Sequence, residues 1–97
     1  MKTYRTQKLK KLADAFLSLK DSEQMLNFLR DLCTLEELEE LSARFEVAEM
    51  LAKGMSYRKI SSIAKVSTTT ITRIALWLEH GEGGYKAVLN KKKKHSV

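Results

Sequence analysis

The sequence predicts an all-α protein, and three observations carry that reading. Proline is absent and only four of the 97 residues are glycine, so little in the chain breaks a helix. Apolar residues recur at i, i+3, i+4 and i+7 through most of the length, which is the spacing of one helix face. Short hydroxyl or acidic residues stand between these stretches, placed to cap the helix that follows. Six helices and no strand account for the pattern, as one domain over residues 1–90.

Leu9, Leu12, Ala13, Phe16 and Leu17 line the first helix. Asp21 is an N-cap for the second, with Gln24 three residues on. Met25, Leu26, Phe28, Leu29 and Leu32 give that helix an apolar side broad enough for more than one neighbour. Thr34 and Glu37 form a capping box for the third helix, which carries Leu38, Leu41, Phe45, Ala48 and Ala52 inward and Val47 and Leu51 on an adjoining face. Lys53-Gly54 supplies a basic last turn and a glycine C-cap. Ser56 caps a short fourth helix holding Tyr57, Ile60 and Ile63. Ala64-Lys65-Val66 is a tight joint, and Ser67 caps a fifth helix that runs to about Trp77-Leu78. The stretch from His80 to Gly84 interrupts the chain, and Tyr85 to Asn90 forms a short last helix. Residues 91–97, KKKKHSV, read as a basic disordered tail.

Charge is distributed unevenly around a net +6. Lys2, Arg5, Lys8, Lys10 and Lys11 precede the first acid, and six glutamates between Glu36 and Glu49 face Arg44 alone. The early glutamates suit the positive N-terminus of the third helix. From Met50 to Leu78 there are five basic residues and no acid, the character of a surface that meets phosphates.

The function classes this leaves are few. No apolar run approaches a membrane span and nothing resembles a secretory h-region, so a cytoplasmic protein is expected. Cys33, the only cysteine, has Leu32 and Leu35 beside it and reads as a buried thiol in a reducing compartment. His80 and His95 are too isolated for a metal site, and GEGG follows no strand and so is no nucleotide loop. With no nucleophile–base pair either, the chain does not read as an enzyme.

Ser67, Thr68, Thr69, Thr70 and Thr72 put five hydroxyls at the start of the fifth helix, where Glu, Lys or Ala would form a better one. Two helices joined by three or four residues describe a helix-turn-helix, over about residues 56–78. Ile60, Val66, Ile71 and Ile74 fall where its helices must pack, which leaves Thr68, Thr69 and Thr72 outward. A threonine there bonds a phosphate or base edge through its hydroxyl and meets a thymine methyl through its own. Its shortness also lets the helix approach the groove floor. Lys65 stands where such turns often have glycine; a left-handed backbone there costs about 1 kcal/mol, and its side chain can reach a phosphate.

These residues carry a resemblance. The stretch CTLEELEELSARFEVAEMLAKGMSYRKI from Cys33, with Thr34, Leu41, Arg44 and Gly54, and TTTITR from Thr68 to Arg73 resemble the tryptophan repressor family. FLSLKD, FLRDLCT and GGYKAVL are similar to its YerC/YecD type branch, so the likeness spans roughly Leu9 to Leu89. It implies a helical bundle that forms an intertwined homodimer and reads palindromic double-stranded DNA as a transcriptional regulator. By that likeness Arg58 contacts a guanine edge, Ser67, Thr68, Thr69, Thr70 and Thr72 contact bases or phosphates, and Lys59 and Lys65 contact phosphates.

The family's corepressor site maps in part, onto Thr34, Arg44, Thr70 and Arg73. Two arginines converging on one carboxylate is sound chemistry. Ile74 and Trp77, however, stand where the repressor has glycine and serine. Two alternatives follow: these side chains fill the pocket and no corepressor is needed, or a small effector, L-tryptophan or another, still enters. Arg44 and Arg73 paired with Glu40, Glu79 or a phosphate is the plainer reading. Rival functions on the same fold are a protein-interaction module, or a replication or transcription accessory factor that uses the helix-turn-helix as a docking surface.

Overall fold

The computed structural model describes residues 3–95, with side chains through residue 91. It contains six helices: α1 (Gln7–Ser18), α2 (Ser22–Leu32), α3 (Leu35–Ala52), α4 (Tyr57–Ala64), α5 (Thr68–His80) and α6 (Gly84–His95). No strand occurs among the described residues. Two compact units make up the chain, Met1–Leu38 and Glu39–Val97.

In the first unit the caps are those that short polar residues dictate. Thr6 Oγ1 accepts the Leu9 amide at 3.1 Å, and Asp21 accepts the Gln24 amide at 2.9 Å. Glu37 accepts the Thr34 amide at 2.8 Å while Thr34 Oγ1 accepts the Glu37 amide at 3.1 Å, which is the reciprocal capping box. α1 and α2 meet edge-to-face through Phe16 and Phe28, with ring centroids 5.4 Å apart. Yet neither helix contains a buried residue. Leu17 is 83% exposed and Leu26 62%, so much of the apolar face of each helix stays open. Cys33, read as buried, is half-buried for the same reason.

The second unit holds the core: Val47 and Ala48 from α3, Ile60 from α4, Ile71 and Ile74 from α5. Met50, Leu51, Met55, Ala64, Val66, Tyr85 and Leu89 pack against it. Of the inward face expected for α3, Ala48 is buried and Leu38 and Phe45 are half-buried, while Leu41, 47% exposed, and Ala52 are exposed. Ile63 and Tyr57, expected on the packed face of α4, are likewise exposed.

α3 ends in a Schellman motif. Gly54 at φ 82° lets its amide reach the Leu51 carbonyl at 3.0 Å and the Met55 amide reach that of Met50 at 3.2 Å. Ser56 then caps α4 through the Lys59 amide at 3.2 Å. The joint to α5 consists of Lys65, Val66 and Ser67, and Lys65 sits in the left-handed region at φ 57°, ψ 42°. It is the one non-glycine residue at positive φ among the described residues, as its place in the turn predicts. Ser61 Oγ donates to the Val66 carbonyl at 2.7 Å across this joint.

Two helices outrun their expected ends. α5 continues to His80, where the Gly81 amide closes on the Trp77 carbonyl so tightly that a Cβ on Gly81 would collide with it. α6 continues to His95 in place of the disordered tail expected from residue 91, since lysine is a good helix former and nothing in the run breaks the helix. Residues 96 and 97 lie outside the described residues.

Candidate nucleic-acid interface and effector cavity

α4 and α5 pack on each other through Ile60, Ile71 and Ile74, with Val66 from the joint against the same cluster. That packing leaves Arg58, Lys59, Lys65, Ser67, Thr68, Thr69, Thr72 and Arg73 exposed on the second unit. Neither α4 nor α5 has an acid in its first turn. The first turn of α4 instead carries Arg58 and Lys59, the sign a helix N-terminus disfavours. Two positive helix ends and these cations attract anions, at some cost to the helices themselves.

The hydroxyls of the run are not equivalent. Ser67 Oγ accepts the Thr70 amide at 3.1 Å and lies 3.0 Å from Thr70 Oγ1. Thr72 Oγ1 donates back to the Thr68 carbonyl at 2.9 Å. A hydroxyl has one hydrogen, so in this arrangement Thr72 offers an outside partner only lone pairs. Thr68 and Thr69 keep both functions. Sequence spacing marked these residues as a group; only the bonding separates them.

A cavity of ≈ 300 Å³ lies between α3 and α5. Glu40, Ala43 and Arg44 line it from α3, Val66 from the joint, and Thr70, Arg73, Ile74 and Trp77 from α5. The spacing i, i+3, i+4 on α3 and i, i+3, i+4, i+7 on α5 makes each contribution a single stripe. Ala43 and Val66 escaped the sequence reading, although Ala43 falls on the stripe set by Glu40 and Arg44.

Of the expected effector residues, Arg44, Thr70 and Arg73 come together here. Thr34 does not line the cavity; it belongs to the first unit and caps α3. Arg44 Nη2 stands 4.0 Å from Glu40 Oε2, an exposed i, i+4 pair. Such a pair contributes about 0.3–0.5 kcal/mol and yields readily to a better partner. Ile74 is 1% exposed within the core and Trp77 is 48% exposed, and both side chains line the cavity. Ile74 is held there by Ile71 one turn earlier, on the same buried face of α5.

Among the described residues no His, Cys, Asp and Glu group comes together as metal ligands, and no helix is long and apolar enough to cross a membrane.

An all-helical chain with a capped helix-turn-helix and an arginine-lined cavity behind its second helix defines a class of protein. Comparison with known proteins gives the family. Residues 7–93 match the family described as Trp repressor protein. The uncharacterized protein YerC of Bacillus subtilis is 40% identical over 89 residues, covering 92% of this chain and 86% of that protein. The crystal structure of a TrpR-like protein from Eubacterium eligens superimposes with a TM-score of 0.86 at 39% identity, covering 92% of each chain. That of a proposed Trp repressor from Staphylococcus aureus gives 0.85 at 36% identity, over 92% of this chain and 89% of the other. The chain belongs to the Trp repressor family.

Proposed function

We propose that this protein is a sequence-specific, DNA-binding transcriptional regulator that reads a palindromic operator as a homodimer. The single observation that carries the reading is the exposed face made by α4, the joint and the first two turns of α5, which holds basic and hydroxyl residues and no acid. Family membership supports the same conclusion. Arg58 reads a guanine edge with its paired donors, and Lys59 and Lys65 hold phosphates. Thr68 and Thr69 donate to phosphates or bases. Thr72, its hydrogen committed to the helix, accepts from an adenine or cytosine amino group.

The open faces of α1, α2 and the first half of α3 support dimerisation. Leu17, Leu26, Leu35 and Leu41 are exposed large apolar side chains, the kind that marks an interaction surface. A second copy covers them and sets two reading heads about one helical turn of DNA apart, or a multiple of it.

Selection of bound fragments from a random DNA pool with purified, ligand-free protein tests the reading. A two-fold symmetric motif is expected. Enrichment of nothing, from a folded protein, would reject it in favour of a protein-docking role.

The cavity carries a second reading about control. Arg73 and Arg44 line a space at the lower edge of the about 300–1,000 Å³ that ligand pockets occupy. A small metabolite bearing a carboxylate displaces Glu40 from Arg44 and bridges the two guanidiniums. Trp77, the only tryptophan, reports directly on occupancy. Titration with amino acids and related acids should give a saturable fluorescence change for the effector; a flat response to all of them means the regulator works without one.

A further inference from the structure

A glycine at the joint would adopt the left-handed conformation freely; Lys65 does not, and something else must hold it at φ 57°. Two bonds from one residue do so. The Ser61 carbonyl accepts the Lys65 amide at 2.9 Å, and the Ser61 hydroxyl donates to the Val66 carbonyl at 2.7 Å. The hydroxyl bond is part-buried, which shields it from competing water. Ser61 therefore grips the last turn of α4 and both residues that lead into the Ser67 cap of α5. Val66, the residue it fixes, also packs on the core and walls the cavity.

We propose that Ser61 is a positioning residue for DNA recognition: its hydroxyl clamps the joint and sets the angle at which α5 presents Thr68, Thr69 and Thr72. This rests on the DNA-reading function proposed above. The clamp acts on geometry, so its loss degrades the match to the cognate sequence more than attraction to phosphates in general. Phosphate contacts tolerate a small tilt of α5; hydrogen bonds to base edges do not.

The test compares Ser61→Ala, Ser61→Thr and the double variant Ser61→Ala/Lys65→Gly on the selected duplex and on a scrambled one, well below the melting temperature. Ser61→Ala should lower the cognate-to-random affinity ratio by about three- to tenfold, the range one hydrogen bond spans. Ser61→Thr, which keeps the hydroxyl, should restore it. In the double variant glycine relieves the left-handed strain and recovers thermal stability, while the ratio stays low. Lys65 itself drops out of the ratio, because a phosphate lysine weakens all sequences alike. A Ser61→Ala protein that discriminates as well as the parent overturns the clamp. So does a double variant whose discrimination returns with its stability, which would make Ser61 a stabiliser only. Residual dipolar couplings on the free proteins separate this from failure of the DNA reading. A rotation of α5 against α4 in Ser61→Ala is expected, and an unchanged angle refutes the clamp whether or not the parent binds DNA.

Discussion

Thr72 and Thr69 differ by one hydrogen bond and should differ in what their removal does. Valine keeps the shape and the methyls of threonine but lacks the hydroxyl. Thr69→Val removes a donor from the exposed face and should weaken cognate binding by about 1 kcal/mol. Thr72→Val removes an acceptor and frees the Thr68 carbonyl, so base preference should shift at one position while affinity for random DNA holds. Binding measured on the selected duplex and its single-base variants distinguishes the two. Arg58→Ala should cost about 1–3 kcal/mol and relax one position, whereas Lys59→Ala should weaken all sequences and lower the log–log salt slope by roughly one unit. Equal losses for Arg58→Ala on cognate and random duplexes would make it a phosphate contact. The sequence showed that these residues form one outward face. It could not show which hydroxyls are spent on the helix itself, because that depends on rotamers and not on spacing.

The helices were legible because their ends are chemically marked. Asp21, the Thr34–Glu37 box, Gly54, Ser56 and Ser67 all cap where their side chains predict. Less legible were ends without a marker: α5 and α6 both run on where no residue forbids a further turn. The two left-handed residues give opposite expectations. Gly54→Ala should destabilise the protein by about 1 kcal/mol, since its φ of 82° strains any Cβ even with open space around it. Lys65→Gly should be stabilising by about 0.5 kcal/mol, as relief of strain outweighs the entropy glycine adds to the unfolded chain. Paired thermal melts check both signs. Ser67→Ala should cost about 1 kcal/mol, as loss of an N-cap usually does.

At the scale of the molecule, the periodicity of α1–α3 marked apolar faces correctly but could not say what covers them. Leu41 and Leu26 look like core in sequence, yet within one chain they lie open. Periodicity reports which side of a helix is apolar, and a partner chain satisfies it as well as an intramolecular neighbour does. The cavity was half legible for a related reason: the α5 stripe follows from helical spacing, but Thr34 sits in the first unit as a cap. A dimer built on these faces should melt at temperatures that rise with protein concentration. Leu26→Glu, which puts a charge on an open apolar face, should abolish that dependence and lower the melting point. A melting point independent of concentration in the parent would mean the faces are covered some other way.

The most direct test is the sedimentation of the ligand-free protein with the selected duplex, measured alongside a duplex that keeps only one half-site. A homodimer on a palindrome places two chains on the symmetric duplex and binds the half-site more weakly, by a factor that shrinks as salt rises. One chain per duplex, or equal affinity for the two, would contradict a homodimer reading a palindrome.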